Sequence, residues 1–321
     1  MRNSVIVVSP ANIATGGTEV LQQLCFQINK LGGNAFMYYT EPFENSVVSE
    51  RFAEYHNPRL LELQDVEGNS IIVPETWMDC ILNVRHARLF IWWLSVDNYY
   101  GSGRLQVNLA HKLFYSLKDR RNQRIFMRCD HLVQSEYARN YLLEEKGVSA
   151  DQIRRLSDYL NRAFLEQLSE GRQERENLIL YNPRKDAEIS QLLRDEITEY
   201  QWVALQGFRP DEMRSVMRRS KVYVDFGNHP GKDRIPREAA LCGCCVITGM
   251  SGAAANDKDI PIDRKYKFQN PVGEKEKIHD LIRDCMDRYE NRKMEFENYR
   301  TVIQSEEKNF TDDIKRIFLT N

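Results

Sequence analysis

Short apolar runs alternate with longer amphipathic stretches along almost the whole chain. Runs such as Val5 to Val8 and Cys244 to Ile247 are apolar at every position rather than at every second one. That pattern belongs to strands covered on both faces, as in parallel sheets flanked by helices. It predicts strands at 4–9, 34–39, 70–74, 88–95, 131–135 and 153–157, then at 178–181, 201–205, 221–226 and 244–248. Between them the 3.6-residue period predicts helices at 18–31, 105–117, 136–145, 187–196, 210–219 and 236–241. From residue 274 the chain turns charged and helical, and Thr311 reads as the N-cap of a final amphipathic helix. The expected fold class is α/β, with two Rossmann-like domains, 1–160 and 161–321, whose terminal helices pack back on the first. The domains join near residue 160, and the second series of strands begins after the charged stretch 166–176. Ligands of such sheets sit beyond the carboxyl ends of the strands, and the cleft between two domains is the expected site.

Composition narrows the class. The 321 residues are 42% hydrophobic and 29% charged with a net charge of −2, ample for two cores but not the basic balance of a bulk nucleic-acid binder. The longest apolar candidate for a membrane span, 87–96, is short and broken by Arg88. The first residues lead straight into a strand without the pattern of a signal peptide, so a cytoplasmic location is expected. Seven cysteines, an odd number in apolar settings, imply no disulfide framework. Cys242 to Cys245 has CxxC spacing without the second pair that a zinc site needs.

The densest chemistry lies between Asp225 and Gly243, in the segment DFGNHPGKDRIPREAALCG. A strand-like run precedes it and another follows. Lys232, Arg234 and Arg237 crowd a Gly/Pro loop, and Pro236 reads as the start of a helix with Glu238 in its first turn. A helix N-terminus offers unpaired N–H groups, and basic side chains add full charge, so the segment suits a phosphate. A plain solvated connection has a similar outline, but His229, Lys232, Asp233 and Arg234 in one short loop exceed what a turn requires.

Other strand ends carry further candidates. Gly16 and Gly17 follow the first strand, where bare backbone can approach a phosphate or sugar; equally, they form a tight turn capped by Thr18. The motif is not GxGxxG, so no dinucleotide cofactor is expected. Asn182, Arg184 and Lys185 follow the strand 178–181 as a basic turn able to neutralise a diphosphate. Gly207 and Phe208 follow the next strand and expose backbone to a nucleobase edge. In the first half, Trp92, Trp93, Asp97 and the neighbouring tyrosines end a strand in an aromatic loop facing the expected cleft, with Glu75, His111 and His131 within reach; aromatic pairs equally belong to a core, and lone histidines to packed structure. Asp257 and Asp259 spell a DxD pattern, although a solvated loop explains them as well. Lys112, Lys118, Arg120, Arg121, Arg124 and Arg128 form a basic stretch that suits either a solvated face or peripheral contact with an anionic membrane face.

Taken together, these segments resemble GT-B glycosyltransferases of the retaining family 4 type, including bacterial surface-polysaccharide transferases. The matching residues are Gly16-Gly-Thr-Glu19, Pro183-Arg-Lys185 and Pro236-Arg-Glu238-Ala-Ala-Leu-Cys-Gly243. The resemblance implies an acceptor-binding first domain and a second domain that binds a nucleotide-diphosphate sugar. Glu238 would bond the ribose hydroxyls, Arg184 and Lys185 would neutralise the diphosphate, and Gly16 and Gly17 would close over the donor. Asn182, Gly207, Phe208, Arg234 and Arg237 complete the implied donor site. The family places a second Glu eight residues before Glu238, where this chain has Pro230; His229, Lys232 or Asp233 would meet the sugar instead. Asp97 is the candidate for positioning or deprotonating the acceptor hydroxyl. The implied reaction needs no metal or cofactor beyond the nucleotide sugar, and the acceptor is a saccharide or lipid-linked saccharide. Removal of Lys185 is expected to slow turnover and leave folding unchanged. A nucleotide-sugar epimerase and a catalytically inactive binding partner are the alternative readings.

Overall fold

The computed structural model describes residues 3–41, 48–100, 120–165, 174–185 and 187–320. The chain divides into two compact units, Met1–Asp158 with Lys308–Asn321, and Tyr159–Glu307.

The first unit is built on a seven-stranded sheet, parallel throughout, in the order β3-β2-β1-β4-β5-β6-β7. The strands are β1 (Val5–Ser9), β2 (Ala35–Tyr39), β3 (Arg59–Leu60), β4 (Ser70–Pro74), β5 (Arg88–Trp93), β6 (Asp130–Val133) and β7 (Ile153–Arg155). β3 escapes prediction because it is two half-buried residues at the sheet edge, too short for any period. Helix α1 (Gly16–Lys30) starts two residues before the expected position: Thr15 is its N-cap and forms a capping box with Thr18. Thr18 is therefore not the cap, and Gly16 and Gly17 are the first helical residues. A Cβ on Gly17 would meet nothing closer than Leu94 Cδ1 at 3.6 Å, so packing does not demand a glycine there.

The predicted helix 105–117 lies outside the described residues, as do His111, Lys112 and Lys118. The stretch 136–145 is an α-helix, Glu136–Asn140, that widens to a π-turn at Tyr141–Glu145. The chain's last residues belong to the first unit's core. Phe310 stacks on Trp92 with centroids 6.3 Å apart, Phe318 meets Phe90 edge-on, and Asp313 accepts a hydrogen bond from the Ser157 backbone at 2.9 Å.

The second unit has a five-stranded parallel sheet in the order β12-β11-β10-β8-β9. Its strands are β8 (Glu176–Tyr181), β9 (Gln201–Ala204), β10 (Ser220–Asp225), β11 (Cys245–Gly249) and the unpredicted two-residue β12 (Lys267–Phe268). Helices α2 (Ala187–Glu196), α3 (Pro210–Arg219) and α4 (Arg234–Leu241) connect them, and α5 (Lys275–Asp287) and α6 (Glu297–Gln304) cover the core. α4 begins two residues earlier than predicted, because Asp233 takes the extended N-cap conformation; Pro236 is its third residue and Glu238 its fifth. Helix α7 (Glu306–Ile314) contains Thr311 in its interior. The expected cap is thus corrected: Thr311 instead accepts a hydrogen bond from Gln27 Nε2 at 2.9 Å.

Each sheet reverses its strand order once. In the first unit the chain runs β1 to β3 one way and then places β4 on the other side of β1. In the second, β8 to β9 runs one way and β10 takes β8's other side. At such reversals the flanking loops diverge and leave a crevice at the strands' carboxyl ends. The loops at the second reversal are 182–185 and 226–233.

Candidate functional site

The two loops converge on one ammonium. Asn182 shapes the first: its side-chain oxygen accepts from the Arg184 N–H at 3.1 Å, and its carbonyl accepts from the Lys185 N–H at 3.1 Å. Arg184 is left exposed. Lys185 extends to the second loop, where its ammonium bonds the Asp233 carboxylate and lies 3.5 Å from Asp225 Oδ2. Asp225 ends β10 with a fully buried carboxylate that also accepts from Tyr223 Oη at 2.7 Å and the Gly227 N–H at 3.2 Å. The buried His229 ring stands between the two acids, Nδ1 2.9 Å from Asp233 Oδ2 and Nε2 3.6 Å from Asp225 Oδ1.

Electrostatics favour the charged forms of Lys185 and Asp233. Burial alone would depress the Lys185 pKa, but Asp233 and then Asp225 reverse it, leaving it raised. Burial likewise opposes ionisation of Asp233, yet Lys185 and His229 bring its carboxyl down to about 2. Tyr223 is pushed far up, by burial and by the adjacent Asp225 charge.

Asp233 is the N-cap of α4, but its side chain makes no capping bond because it is spent on Lys185. One residue on, Arg234 Nε lies 3.9 Å from Glu238 Oε1. Lys185, Asp233, Arg234 and Glu238 thus gather at the start of α4. Lys232 and Arg237 turn elsewhere, to Glu306 at 2.8 and 2.7 Å, and the Arg237 side chain is 1% exposed. Sequence alone placed both on a donor; here they hold the loop. Gly207 adopts φ +79° after β9, and Phe208 is exposed beside it.

The ligand atoms of Asp225, His229 and Asp233 lie within 4.8 Å of one another, the one group among the described residues with spacing for a metal ion. The Lys185 ammonium already supplies a cation to its two carboxylates. Exposed Asp257 of the DxD pattern pairs with the buried Lys267 Nζ at 2.7 Å and joins no such group.

In the first unit the aromatic loop is mostly core. Trp92, Trp93 and Tyr99 are completely buried, and Trp93 Nε1 donates to His131 Nδ1 at 2.9 Å. Tyr99, expected on an open aromatic loop, is thus part of the core. Asp97 itself is 5% exposed and accepts from Tyr137 Oη at 3.1 Å. Glu75 is buried and accepts from the Leu94 N–H at 3.0 Å, and His131, also bonded to the Phe126 carbonyl, is a packed structural residue. Of the basic stretch, Arg121 pairs with Asp79 and Arg128 donates to the Val84 carbonyl. No helix among the described residues is long and apolar enough to cross a membrane.

No family model matches the chain, and no curated protein matches it in sequence. Solved structures do. Sucrose-phosphate synthase from Thermosynechococcus elongatus aligns over 99% of this chain and 98% of its own, with a TM-score of 0.66 at 13% identity. HepE from Anabaena, solved in complex with UDP-glucose, aligns over 99% and 100%, with a TM-score of 0.64 at 10% identity. WaaG, a glycosyltransferase involved in lipopolysaccharide biosynthesis, aligns over 96% and 98%, with a TM-score of 0.60 at 11% identity. The fold is GT-B.

Sequence reasoning missed Asp225, Gly227 and Glu306. A carboxylate ending an otherwise apolar strand was a usable signal for Asp225. Glu306 had none, since it reaches the loop only through the fold.

Proposed function

We propose that this chain is a metal-independent glycosyltransferase. It moves a sugar from a nucleotide-diphosphate sugar to a saccharide or lipid-linked acceptor in bacterial polysaccharide assembly. The observation that carries this reading is the convergence of Lys185, Asp233, Arg234 and Glu238 at the strand-order reversal of the second unit. HepE, which matches the chain end to end, was solved with UDP-glucose, and that supports the donor class.

Breaking a sugar–phosphate bond leaves growing negative charge on the nucleoside diphosphate and an oxocarbenium-like centre on the sugar. Fixed cations and helix N–H groups at the departing phosphate lower that barrier. Lys185 and Arg184 are assigned to the diphosphate, Glu238 to the ribose hydroxyls, and Asp97 to the acceptor hydroxyl. Lys185 pairs with the Asp233 and Asp225 carboxylates, so the diphosphate must draw its ammonium from Asp233. Asp233, released from the ammonium, keeps His229 Nδ1 at 2.9 Å from Oδ2 and can accept a hydroxyl of the sugar.

Calorimetry with UDP, GDP and ADP, followed by donor turnover with and without chelator, tests the proposal. Binding of one nucleotide with turnover that survives EDTA is expected. Failure to bind any of the three would sink it.

A further inference from the structure

The loop that presents Asp233 is itself held from a distance. Arg237 folds back along α4 and spends Nε on the Asp233 carbonyl at 3.1 Å and Nη2 on the Lys232 carbonyl at 3.0 Å. Its Nη1 bonds Glu306 Oε2 at 2.7 Å, across 69 residues of sequence. Lys232 Nζ takes the other carboxylate oxygen at 2.8 Å. Glu306 is 2% exposed and is the first residue of α7. A carboxylate buried between two cations is expensive to remove, because the cations it leaves behind stay buried and uncompensated.

The carbonyls that Arg237 grips belong to the two residues before α4, and they set the extended N-cap backbone of Asp233, φ −60° and ψ 141°. That backbone aims the Asp233 carboxylate at Lys185 rather than at the helix N–H groups. The contacts run in one line: Glu306 to Arg237, Arg237 to the Lys232–Asp233 backbone, Asp233 to the Lys185 ammonium.

We infer that Glu306 is a positioning residue for Lys185, holding the ammonium at the strand-order reversal through Arg237 and Asp233. Its catalytic meaning rests on the sugar-transfer reading above; its geometry does not. Nothing in the local sequence of either segment announces the link. It makes the donor loop depend on the residue at which the last helix begins.

The test reads Lys185 directly, in the ligand-free protein. A brief pulse of an amine-acylating reagent is followed by mass spectrometry of the Lys185 peptide in the native chain, in Glu306→Gln and in Arg237→Lys. Lys308→Ala, which removes a surface ion pair on the same helix, is the control. Glu306→Gln keeps an oxygen for Arg237 but removes the charge, and Arg237→Lys keeps a charge but loses the grip on both carbonyls. Either variant is expected to raise Lys185 acylation about 5-fold or more, as Asp233 no longer holds the ammonium in place, while the control stays within about 2-fold. Unchanged acylation in a folded variant overturns the inference, and Arg237→Lys carries the test if Glu306→Gln does not fold.

A kinetic arm follows. Glu306→Gln should raise the donor KM about 10-fold with kcat within about 3-fold, and should cost little more in a Lys185→Ala background. Additive losses would mean a purely structural role and overturn it. If no nucleotide binds but acylation responds, the transferase reading fails and the positioning link stands.

Discussion

Gly227 and Lys185 leave no space between them: a Cβ on Gly227 would stand 2.5 Å from the Lys185 Cβ and 3.1 Å from its Cγ and Cδ. The contact is with the root of the lysine rather than its flexible end, so the lysine cannot simply rotate away. Gly227 lacks a side chain because the loop after β8 rests on it.

Gly227→Ala is therefore expected to displace the turn 182–185. Overpacking of this kind costs about 1–3 kcal/mol. Nucleotide affinity should fall along with the melting temperature, whereas the exposed Lys308→Ala should alter neither. Calorimetry and a thermal melt on the same preparations check it, and unchanged affinity would contradict the placement of Lys185 at the donor.

Lys185→Ala is expected to cut turnover about 100-fold or more, since one transition-state contact of this type is worth roughly 2.7–4 kcal/mol. The structure changes the companion expectation that folding is untouched. Lys185 offsets the buried Asp225 carboxylate and most of Asp233. Its loss should lower stability by about 1–3 kcal/mol, read from urea midpoints.

Stability should fall toward acid in two windows. Burial depresses the His131 pKa below its usual 6.5, so the unfolded chain binds that proton first. Its contribution is complete above pH 6.5 and is lost as pH falls through the lowered value. Asp233, held at about 2 against a usual 3.8, contributes fully above pH 3.8 and loses its share on the way down to 2. That share is about 2 kcal/mol. Urea titrations from pH 7 to 2 should show both declines, and Asp233→Asn should flatten only the lower one.

Phe310→Ala should cost about 3–5 kcal/mol, because the ring is completely buried against Trp92 in the first unit's core. The melting transition of residues 1–158 with 308–321 should drop, followed by the near-ultraviolet signal of Trp92 and Trp93. A shift of less than a degree would mean that the terminal helix is not part of that core.

Much of this architecture was legible from pattern. Fully apolar runs such as Val5–Val8 can be buried only between two helical layers, so parallel strands of three residues or more were readable. The two-residue strands at Arg59–Leu60 and Lys267–Phe268 were not, because edge pairing supplies what their side chains do not. Helix starts shifted by two residues where a cap depended on backbone shape: Thr15 rather than Thr18, and Asp233 rather than a residue beside Pro236.

At the candidate site, the residue types were visible and their partners were not. Lys185, Asp233, Arg234 and Glu238 could be picked out as candidates for a nucleotide-sugar site from a basic turn, a Gly/Pro loop and a helix start. The chain alone determined that two α/β units would form, because burial periodicity and turn composition are local. Only the tertiary structure decided which cation stays at the crevice and which becomes a strut. That choice depends on Asp225, Gly227 and Glu306, whose effect is exerted through space, and on a low-dielectric interior that makes each buried charge find a partner wherever the chain brings one.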